Sequence, residues 1–229
     1  MLSEATTPTL ADRLSAAQAR VADAVAHAGR DPDEITTIVV TKFHPAGMVR
    51  ELYALGVRNF GENRHQEAQL KAAELSDLDL RWHFIGQLQS KKARQVREYS
   101  SVVHSLDRDS VVDALGSGES RLDCFVQLNL TADPGRGGVQ ADALEPLVER
   151  VLAASGLRLL GVMAVAPVDE EPRSAFARVR NASLRVQALE PEARFISAGM
   201  SGDFADAIAE GATHLRIGSA ITGNRPTAG

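Results

Sequence analysis

The chain has 229 residues, of which 44% are hydrophobic and 24% are charged, and its formal net charge is −5. These proportions are typical of a soluble globular protein, and the acidic balance gives no reason to expect binding to nucleic acid or to an anionic membrane. Aromatic residues make up only 4% of the chain, which argues against stacking platforms for single-stranded nucleic acid. No linker composition interrupts the chain, so we expect a single domain over residues 1–229.

The only cysteine, Cys124, lies inside the apolar run DCFVQLNL. We interpret it as a small buried hydrophobic residue in a protein of a reducing compartment. Residues 1–8 do not have the basic and apolar segments of a secretory signal, and no apolar run approaches the ~20 residues of a membrane span. These features predict a cytoplasmic protein. The six histidines show no metal-site spacing, so we predict no structural metal.

The first predicted element is an amphipathic helix that begins after Pro8. One face of it carries Leu10, Leu14, Ala17, Val21 and Val25, at steps of three and four residues. Thr9 and Asp12 predict a capping box at its start, and Gly29 lies where a glycine commonly ends a helix.

Eight short apolar runs follow, each rich in Val, Ile or Phe and bounded by Gly, Pro, Asp or Ser, which are strand signals. The runs are 36–42, 57–62, 80–86, 101–107, 123–130, 159–166, 193–199 and 214–220. Helical stretches lie between them at 47–56, 66–75, 90–99, 142–156, 175–189 and 202–211. Strands that alternate with helices pair in parallel through right-handed crossovers.

Eight units of this kind are what a (β/α)8 (TIM) barrel requires. We therefore predict an α/β protein with a single such barrel, preceded by the N-terminal helix. A doubly wound open sheet is the competing fold, but it usually has fewer strands and often a glycine fingerprint after the first one, where this chain has KFHPAG. Few residues follow Ala220, so the last outer helix should be short, and we expect the N-terminal helix to cover what it leaves open.

Active residues of such barrels lie at the C-terminal ends of the strands, and the first run ends on Lys42. A lysine whose stem lies in an apolar wall is desolvated, which favours the neutral amine and makes it a nucleophile toward aldehydes. We therefore predict a Schiff-base role for Lys42. The alternative is a lysine at a strand end whose ammonium stays in water.

The seventh and eighth runs end in SAGMSGDF and RIGSA, which predict an oxyanion site. Gly202 and Gly218 lack the Cβ that would obstruct a ligand, and the hydroxyls of Ser201 and Ser219 add donors. The loops after strands seven and eight form the usual phosphate site of these barrels. The alternative is that these residues only make turns.

Arg216 lies inside the eighth run, where an arginine must be paired or hydrogen-bonded. It predicts either an ion pair with an acid of a neighbouring strand or a donor to an acceptor atom of a bound ring. A lysine that traps an aldehyde, an oxyanion cradle and an arginine that faces a ring together describe a site for pyridoxal 5′-phosphate (PLP).

Five motifs, TK (41–42), FGEN (60–63), WHFIGQLQSKKARQV (82–96), GMS (199–201) and RIGSAITG (216–223), resemble the pyridoxal phosphate homeostasis protein family. This family is similar to the N-terminal barrel of alanine racemase without the second domain, and the likeness covers nearly the whole chain. The resemblance implies a fold-type III PLP barrel that carries the cofactor on Lys42 and holds, buffers or delivers it. Near the cofactor it places Asn63, Met163, Ser201, Arg216, Gly218 and Ser219. A delivery role would make PLP-requiring apo-enzymes the partners.

The sequence departs from the commoner family pattern around the mouth of the predicted barrel. Arg64 and His65 stand where the family more often has Tyr-Val, and Gln87 stands where His is common. The loop after the fifth run, ADPGRGG, is basic at Arg136. These differences affect the mouth and its surface and leave the Schiff-base position unchanged.

The WHFIG-QLQSKK motif also permits a purely structural interpretation. Its apolar residues Trp82, Phe84 and Ile85 are plausible core residues of the third strand. The helix that follows carries Lys91, Lys92, Arg94 and Arg97. These four cations form either a solvated face or a basic rim that attracts phosphorylated ligands or an acidic partner.

Racemisation needs two bases, one on each face of the substrate, and Lys42 supplies only one. Alanine racemase takes the other, a tyrosine, from its second domain, whereas Tyr53 and Tyr99 lie in predicted outer helices. A class I aldolase also uses a barrel lysine, but His44 is the only close acid–base candidate here. We predict a PLP-binding protein that is not an enzyme, with a racemase-like enzyme as the alternative. No dimerisation domain is evident, so we expect a monomer.

Overall fold

The structure, a computed structural model, describes residues 7–118, 120–133 and 135–225. Within these ranges the strands are Thr36–Val40 (β1), Asn59–Glu62 (β2), Arg81–Phe84 (β3), Val102–Leu106 (β4), Leu122–Gln127 (β5), Leu157–Met163 (β6), Phe195–Ser197 (β7) and His214–Ile217 (β8). Each strand pairs in parallel with the next in the chain, and β8 pairs in parallel with β1. The sheet is therefore a closed barrel, and the predicted (β/α)8 fold is confirmed.

The helices surround this barrel. They are Leu10–His27 (α1), Ala46–Ala54 (α2), His65–Glu74 (α3), Ala93–Tyr99 (α4), Asp109–Gly116 (α5), Leu144–Ala153 (α6), Pro172–Leu189 (α7), Phe204–Ala209 (α8) and Ser219–Thr222 (α9). Short 3₁₀ turns cover Pro32–Glu34 and Ser90–Lys92. Helix α5 was not predicted, because its eight residues give an apolar period only two turns in which to repeat.

Seven of the eight apolar runs continue one to three residues beyond the last residue of their strand. Most residues at these ends are apolar or small, so composition alone does not mark where the ladder of hydrogen bonds stops. Lys42 and Gly218, which the runs include, therefore lie in the loops at the C-terminal mouth and not in strands.

Helix α1 begins and ends as predicted. The Thr9 hydroxyl accepts from the amide of Asp12 at 3.1 Å, and the Asp12 carboxylate accepts from the amide of Thr9 at 2.9 Å. Gly29 has a φ of 64°, in the region that glycine tolerates best. The Nε of Arg13 donates to the carbonyl of Ile221 in α9 at 2.7 Å. Helix α1 thus covers the barrel beside the short last helix, as expected.

The sheet separates two packed layers. Outside it, apolar strand residues such as Val39 and Val126 pack against the helices. Inside it, a smaller apolar cluster contains Val102, Phe125, Leu160 and Met163, with Phe195 packed against them. The predicted core positions Trp82, Phe84 and Cys124 are buried. Among the described residues no helix is both long enough and apolar enough to cross a membrane.

Candidate functional site

Lys42 lies two residues after β1, at the C-terminal mouth of the barrel. Val40, the last residue of β1, would contact a Cβ added to Gly61 at 3.3 Å, so the strand ends against β2. The side chain of Lys42 is exposed. The expectation that an apolar wall removes water from this amine is therefore wrong. The buried residue is Thr41, because the strand ends at Val40 and the chain then turns outward.

Acidic side chains of the next strand–helix unit hold the backbone on both sides of Lys42. The Thr41 hydroxyl donates to Glu62 Oε1 at 2.8 Å, and the amide of Phe43 donates to Glu67 Oε2 at 3.0 Å. Phe43 has a φ of 68°, which is uncommon for a residue with a Cβ. This anchored turn sets the position from which the Lys42 side chain extends.

A buried ion pair lies behind the turn. Lys71 of α3 donates from Nζ to Glu62 Oε1 at 2.6 Å and to the carbonyl of Thr41 at 2.9 Å. The side chains of Lys71 and Glu62 are only 8% and 1% exposed. Burial raises the pKa of Glu62, and the ammonium of Lys71 opposes that shift without cancelling it. The buried lysine near the mouth is therefore Lys71, which sequence reasoning did not single out.

Arg216 projects into the barrel interior from β8 and is 5% exposed. It donates from Nη1 to Ser197 Oγ at 2.6 Å and from Nη2 to the carbonyl of Ala164 at 2.8 Å. Ser197 ends β7 and Ala164 follows β6, so the guanidinium reaches the level at which those strands end. Among the described residues it forms no ion pair, so the expected ion pair is wrong, and the role as a donor to a bound ring stays a prediction.

Burial lowers the pKa of Arg216 to about 10, and the charge of Asp203 opposes this shift. A pKa of about 10 still leaves the guanidinium protonated at neutral pH. A buried cation without a carboxylate partner needs hydrogen-bond acceptors around it.

A hydrogen-bonded chain continues from Arg216 across the interior. Ser197 Oγ lies 2.8 Å from His104 Nδ1, and His104 Nε2 lies 2.9 Å from His83 Nδ1. His83 Nε2 lies 3.0 Å from Asn59 Oδ1 at the start of β2. Asn59 Oδ1 can only accept, so His83 donates to it from Nε2. In a neutral ring the other nitrogen accepts, so His104 donates from Nε2 to His83, and the Ser197 hydroxyl donates to His104 Nδ1. All hydrogen bonds of this network therefore run in the same donor-to-acceptor direction, from Arg216 to Asn59, and both imidazoles are neutral.

The neutral state of these rings agrees with their burial. Desolvation holds the pKa of His83 and of His104 well below the ordinary value for histidine. Sequence reasoning missed both residues, because it compared histidine spacing only with metal motifs. The alternation of inward and outward residues along the predicted strands could have identified them. The motifs WHF, VVHS and HLR each place a histidine within a predicted strand, and a buried imidazole needs a hydrogen-bond partner.

The interior histidines predict that acid destabilises the fold. Burial lowers the pKa of His214 to about 4, whereas the unfolded chain takes up this proton near 6.5. The stability that the neutral ring contributes is therefore present above pH 6.5 and is lost as the pH falls from 6.5 toward about 4. The free energy of unfolding should therefore depend less on pH in His214→Gln than in the wild type. We expect its slope to decrease by up to about 1.4 kcal/mol per pH unit, measured by urea unfolding between about pH 7 and about pH 5.

His27→Gln, at an exposed position of α1, is the matched control and should keep the wild-type slope. An unchanged slope in His214→Gln would show that this ring does not contribute to the acid sensitivity.

The oxyanion-site residues lie in two turns at the ends of the neighbouring strands β7 and β8. In the first turn the amide of Met200 donates to Asp203 Oδ1 at 2.6 Å, and Ser201 and Gly202 lie between these two residues. A Cβ at Gly202 would meet no heavy atom within 4 Å, so the space before its backbone is open. Within the described residues the amides of Ser201 and Gly202 donate no hydrogen bond.

The second turn contains Gly218 and Ser219. A Cβ at Gly218 would lie 3.5 Å from the Cβ of Val40, so this turn lies against the end of β1 that leads to Lys42. Ser219 is the exposed first residue of α9. The pairing of β8 with β1 thus brings the second turn to the same rim as Lys42.

Asn63 and Met163, the other two residues predicted to lie near the cofactor, are found around the same mouth. Asn63 follows β2, and its Oδ1 is buried without a hydrogen-bond partner in the part of the chain that the structure describes. Met163 ends β6 as part of the interior apolar cluster, at 2% exposure. The structure thus brings Lys42, Asn63, Arg216 and both turns to one end of the barrel, with Met163 below them.

Comparison with known proteins gives consistent matches over almost the whole chain. The family described as "Alanine racemase, N-terminal domain" matches residues 13–226. The pyridoxal phosphate homeostasis protein of Corynebacterium glutamicum is 38% identical over 222 residues, which cover 92% of this chain and 100% of that protein. The protein of the same name from Pseudomonas aeruginosa is 40% identical over 224 residues, which cover 95% of this chain and 96% of that protein.

Solved structures agree with these relatives. PipY of Synechococcus elongatus, solved with PLP bound, is 33% identical with a TM-score of 0.80, and the match covers 93% of this chain and 99% of that chain. Alanine racemase of C. glutamicum is 17% identical with a TM-score of 0.69, over 90% of this chain and 62% of that chain, and shares the fold. The chain therefore belongs to the pyridoxal phosphate homeostasis protein family, which has the barrel of the alanine racemase N-terminal domain.

Proposed function

We propose that this protein binds PLP at the C-terminal mouth of its barrel, linked covalently to Lys42, and that it serves PLP homeostasis in the cytoplasm as a monomer. The observation that carries the proposal is the structure of PipY, a relative of nearly equal length that was solved with PLP bound. PLP-requiring apo-enzymes are the recipients that such a role would have.

The residues at the mouth fit this cofactor. PLP supplies an aldehyde that can bond to a primary amine, and a phosphate that needs several hydrogen-bond donors. Lys42 offers an exposed amine on an anchored turn, so a ligand can reach it from solvent. Ser201 and Ser219 offer hydroxyl groups, and the open space before Gly202 lets a phosphate approach the backbone.

Arg216 fits the side of the ring that carries the nitrogen. The guanidinium is a donor that does not take up a proton at neutral pH, so a nitrogen opposite it stays unprotonated. An unprotonated ring is a weaker electron sink. Ser197 and Ala164 orient the guanidinium, while Asn63 and Met163 would lie against the ring with a polar and an apolar contact.

We propose holding rather than catalysis because, in the part of the chain that the structure describes, neither tyrosine stands at the mouth to serve as a second base. Tyr53 lies on the outer helix α2, with its ring stacked under Arg58 at 3.9 Å. Tyr99 lies at the end of α4, 3.4 Å from His65 Nδ1, and burial raises the pKa of its hydroxyl. Both tyrosines are thus engaged on the helical layer of the barrel.

The aldolase interpretation is disfavoured for a related reason. The ring of His44 lines a cavity on the helical side of the sheet together with Glu67 and Lys71. Burial lowers its pKa, and its Nδ1 is without a hydrogen-bond partner among the described residues. Within the described residues His44 and Lys42 form no hydrogen bond, so the ring is not positioned to exchange a proton with the amine.

Proton exchange at the α-carbon of alanine separates a holder from a racemase-like enzyme. We expect the PLP-loaded protein to exchange the α-proton of L-alanine and of D-alanine in D₂O no faster than an equal concentration of free PLP. The readout is the ¹H NMR signal of the α-proton, with the Lys42→Ala variant and free PLP as controls. Exchange that is faster than free PLP and depends on Lys42 would overturn the holding role.

A further inference from the structure

A second cavity, of about 310 Å³, lies beside the mouth between the loop that follows β2 and the loop that follows β3. Four carboxamide side chains line it: Asn63, Gln66, Gln87 and Gln89. Arg64 and Lys92 stand on its wall as cations, and Phe84 and Leu88 supply apolar surface.

The loops that form this cavity are held in contact. A Cβ at Gly86 would collide with the carbonyl of Asn63, so only glycine lets the β3 loop close on the β2 loop. The amide of Ile85 donates to the carbonyl of Glu62 at 2.8 Å, which continues the pairing of the two strands. The ring of His65, which also lines the cavity, stacks on Tyr99 with centroids 6.0 Å apart. The cavity is therefore part of the folded barrel and not a gap between loose loops.

The charge on its wall is positive. Neither Asp nor Glu is among the lining residues, whereas Arg64 and Lys92 are. Lys92 forms no salt bridge within the described ranges, and Arg64 pairs with Glu67 at 3.3 Å. That pair is half exposed, so it contributes little stability and leaves the guanidinium able to turn to a ligand.

We propose that this cavity is a second binding site, separate from the Lys42 site, for a small phosphate monoester. A phosphate dianion matches two cations that can approach it from opposite loops. Primary amides both donate and accept, so four of them suit a polar ligand body. A volume of about 310 Å³ lies at the small end of ligand sites.

Three of the residues by which this sequence departs from the commoner family pattern, Arg64, His65 and Gln87, line this cavity. The cavity shares Asn63 with the mouth but contains neither Lys42 nor either oxyanion turn. The proposal therefore does not rest on the covalent site.

Pyridoxamine 5′-phosphate is a suitable probe, because it carries a phosphate and a ring but has no aldehyde to react with a lysine. We expect calorimetric titration of the PLP-loaded full chain to show one further site for it. Lys92→Met should weaken this binding at least about tenfold, because the variant removes one of two charge-assisted contacts. Lys91→Met is the matched control, since Lys91 is the exposed neighbour in the same 3₁₀ turn and does not line the cavity. It should change the affinity less than about twofold, as expected of a screened surface charge.

Three results would overturn the proposal. The PLP-loaded protein could fail to bind the probe, both lysine variants could weaken binding equally, or pyridoxamine without its phosphate could bind as well. If the chain takes up no PLP at all, the proposed function fails on its own. The comparison of Lys92→Met with Lys91→Met in the PLP-free protein then still tests the cavity.

Discussion

Lys42→Ala is expected to abolish the covalent attachment of PLP while the barrel remains folded. The side chain is exposed at the mouth, so its removal creates no cavity in the core. PLP bound to a lysine absorbs near ~420 nm, and borohydride makes the bond permanent. We expect the variant to lack both the absorbance band and any borohydride-fixed mass increase.

Lys91→Ala serves as the control, because it removes an exposed lysine that is not among the residues proposed to bind PLP. It should keep the band and the fixed mass. A Lys42→Ala protein that still carries PLP after borohydride would show that another amine holds the cofactor, and peptide mass mapping would identify which one.

Lys71→Met is expected to have the largest effect on stability. The substitution keeps an unbranched side chain of similar length but leaves the Glu62 carboxylate buried without its cation. Removal of one partner of a buried ion pair typically costs about 3–5 kcal/mol in the free energy of unfolding. We expect that loss near neutral pH, measured by urea unfolding monitored by circular dichroism.

The loss of stability caused by Lys71→Met should become smaller as the pH is lowered. Burial raises the pKa of Glu62, and without Lys71 only the hydroxyl of Thr41 still opposes the shift. The protonated carboxyl needs no cation, so the stability that this group contributes to the variant is fully present below the ordinary pKa of 4.5 and is lost as the pH rises through the raised pKa. The difference from wild type should therefore shrink as the pH is lowered toward about 5. A difference that stays constant with pH would contradict the assignment of the lost stability to the Glu62 charge.

The barrel was predictable because its evidence is repetitive. Eight apolar runs separated by helical stretches leave few arrangements for a closed core, and a missed α5 does not change the count of strands. The capping box of α1 was predictable because Thr9 and Asp12 are neighbours in sequence. Parallel strands all place their C-terminal ends on one side, so Lys42, Arg216 and the two oxyanion turns had to lie at the same end.

Features that depend on a single backbone angle or on distant partners were not predictable. Lys42 is exposed because the chain leaves β1 early and turns at Phe43 with a positive φ, which no composition reveals. Lys71 looked like an ordinary helix residue, because its burial depends on Glu62 across the sheet–helix layer. The contact of His104 with Ser197 joins residues 93 positions apart.

The contact between α1 and α9 has a consequence for biosynthesis. Arg13 and Ile221 are 208 positions apart, and β1 pairs with β8, so neither contact can form until β8 and Ile221 have been synthesised. Until β8 leaves the ribosome, one edge of β1 has no partner, and unpaired edges promote aggregation. The turn containing Gly218 is then also missing from the rim beside Lys42. A nascent chain therefore cannot form the complete mouth before β8 and the turn that follows it have been synthesised.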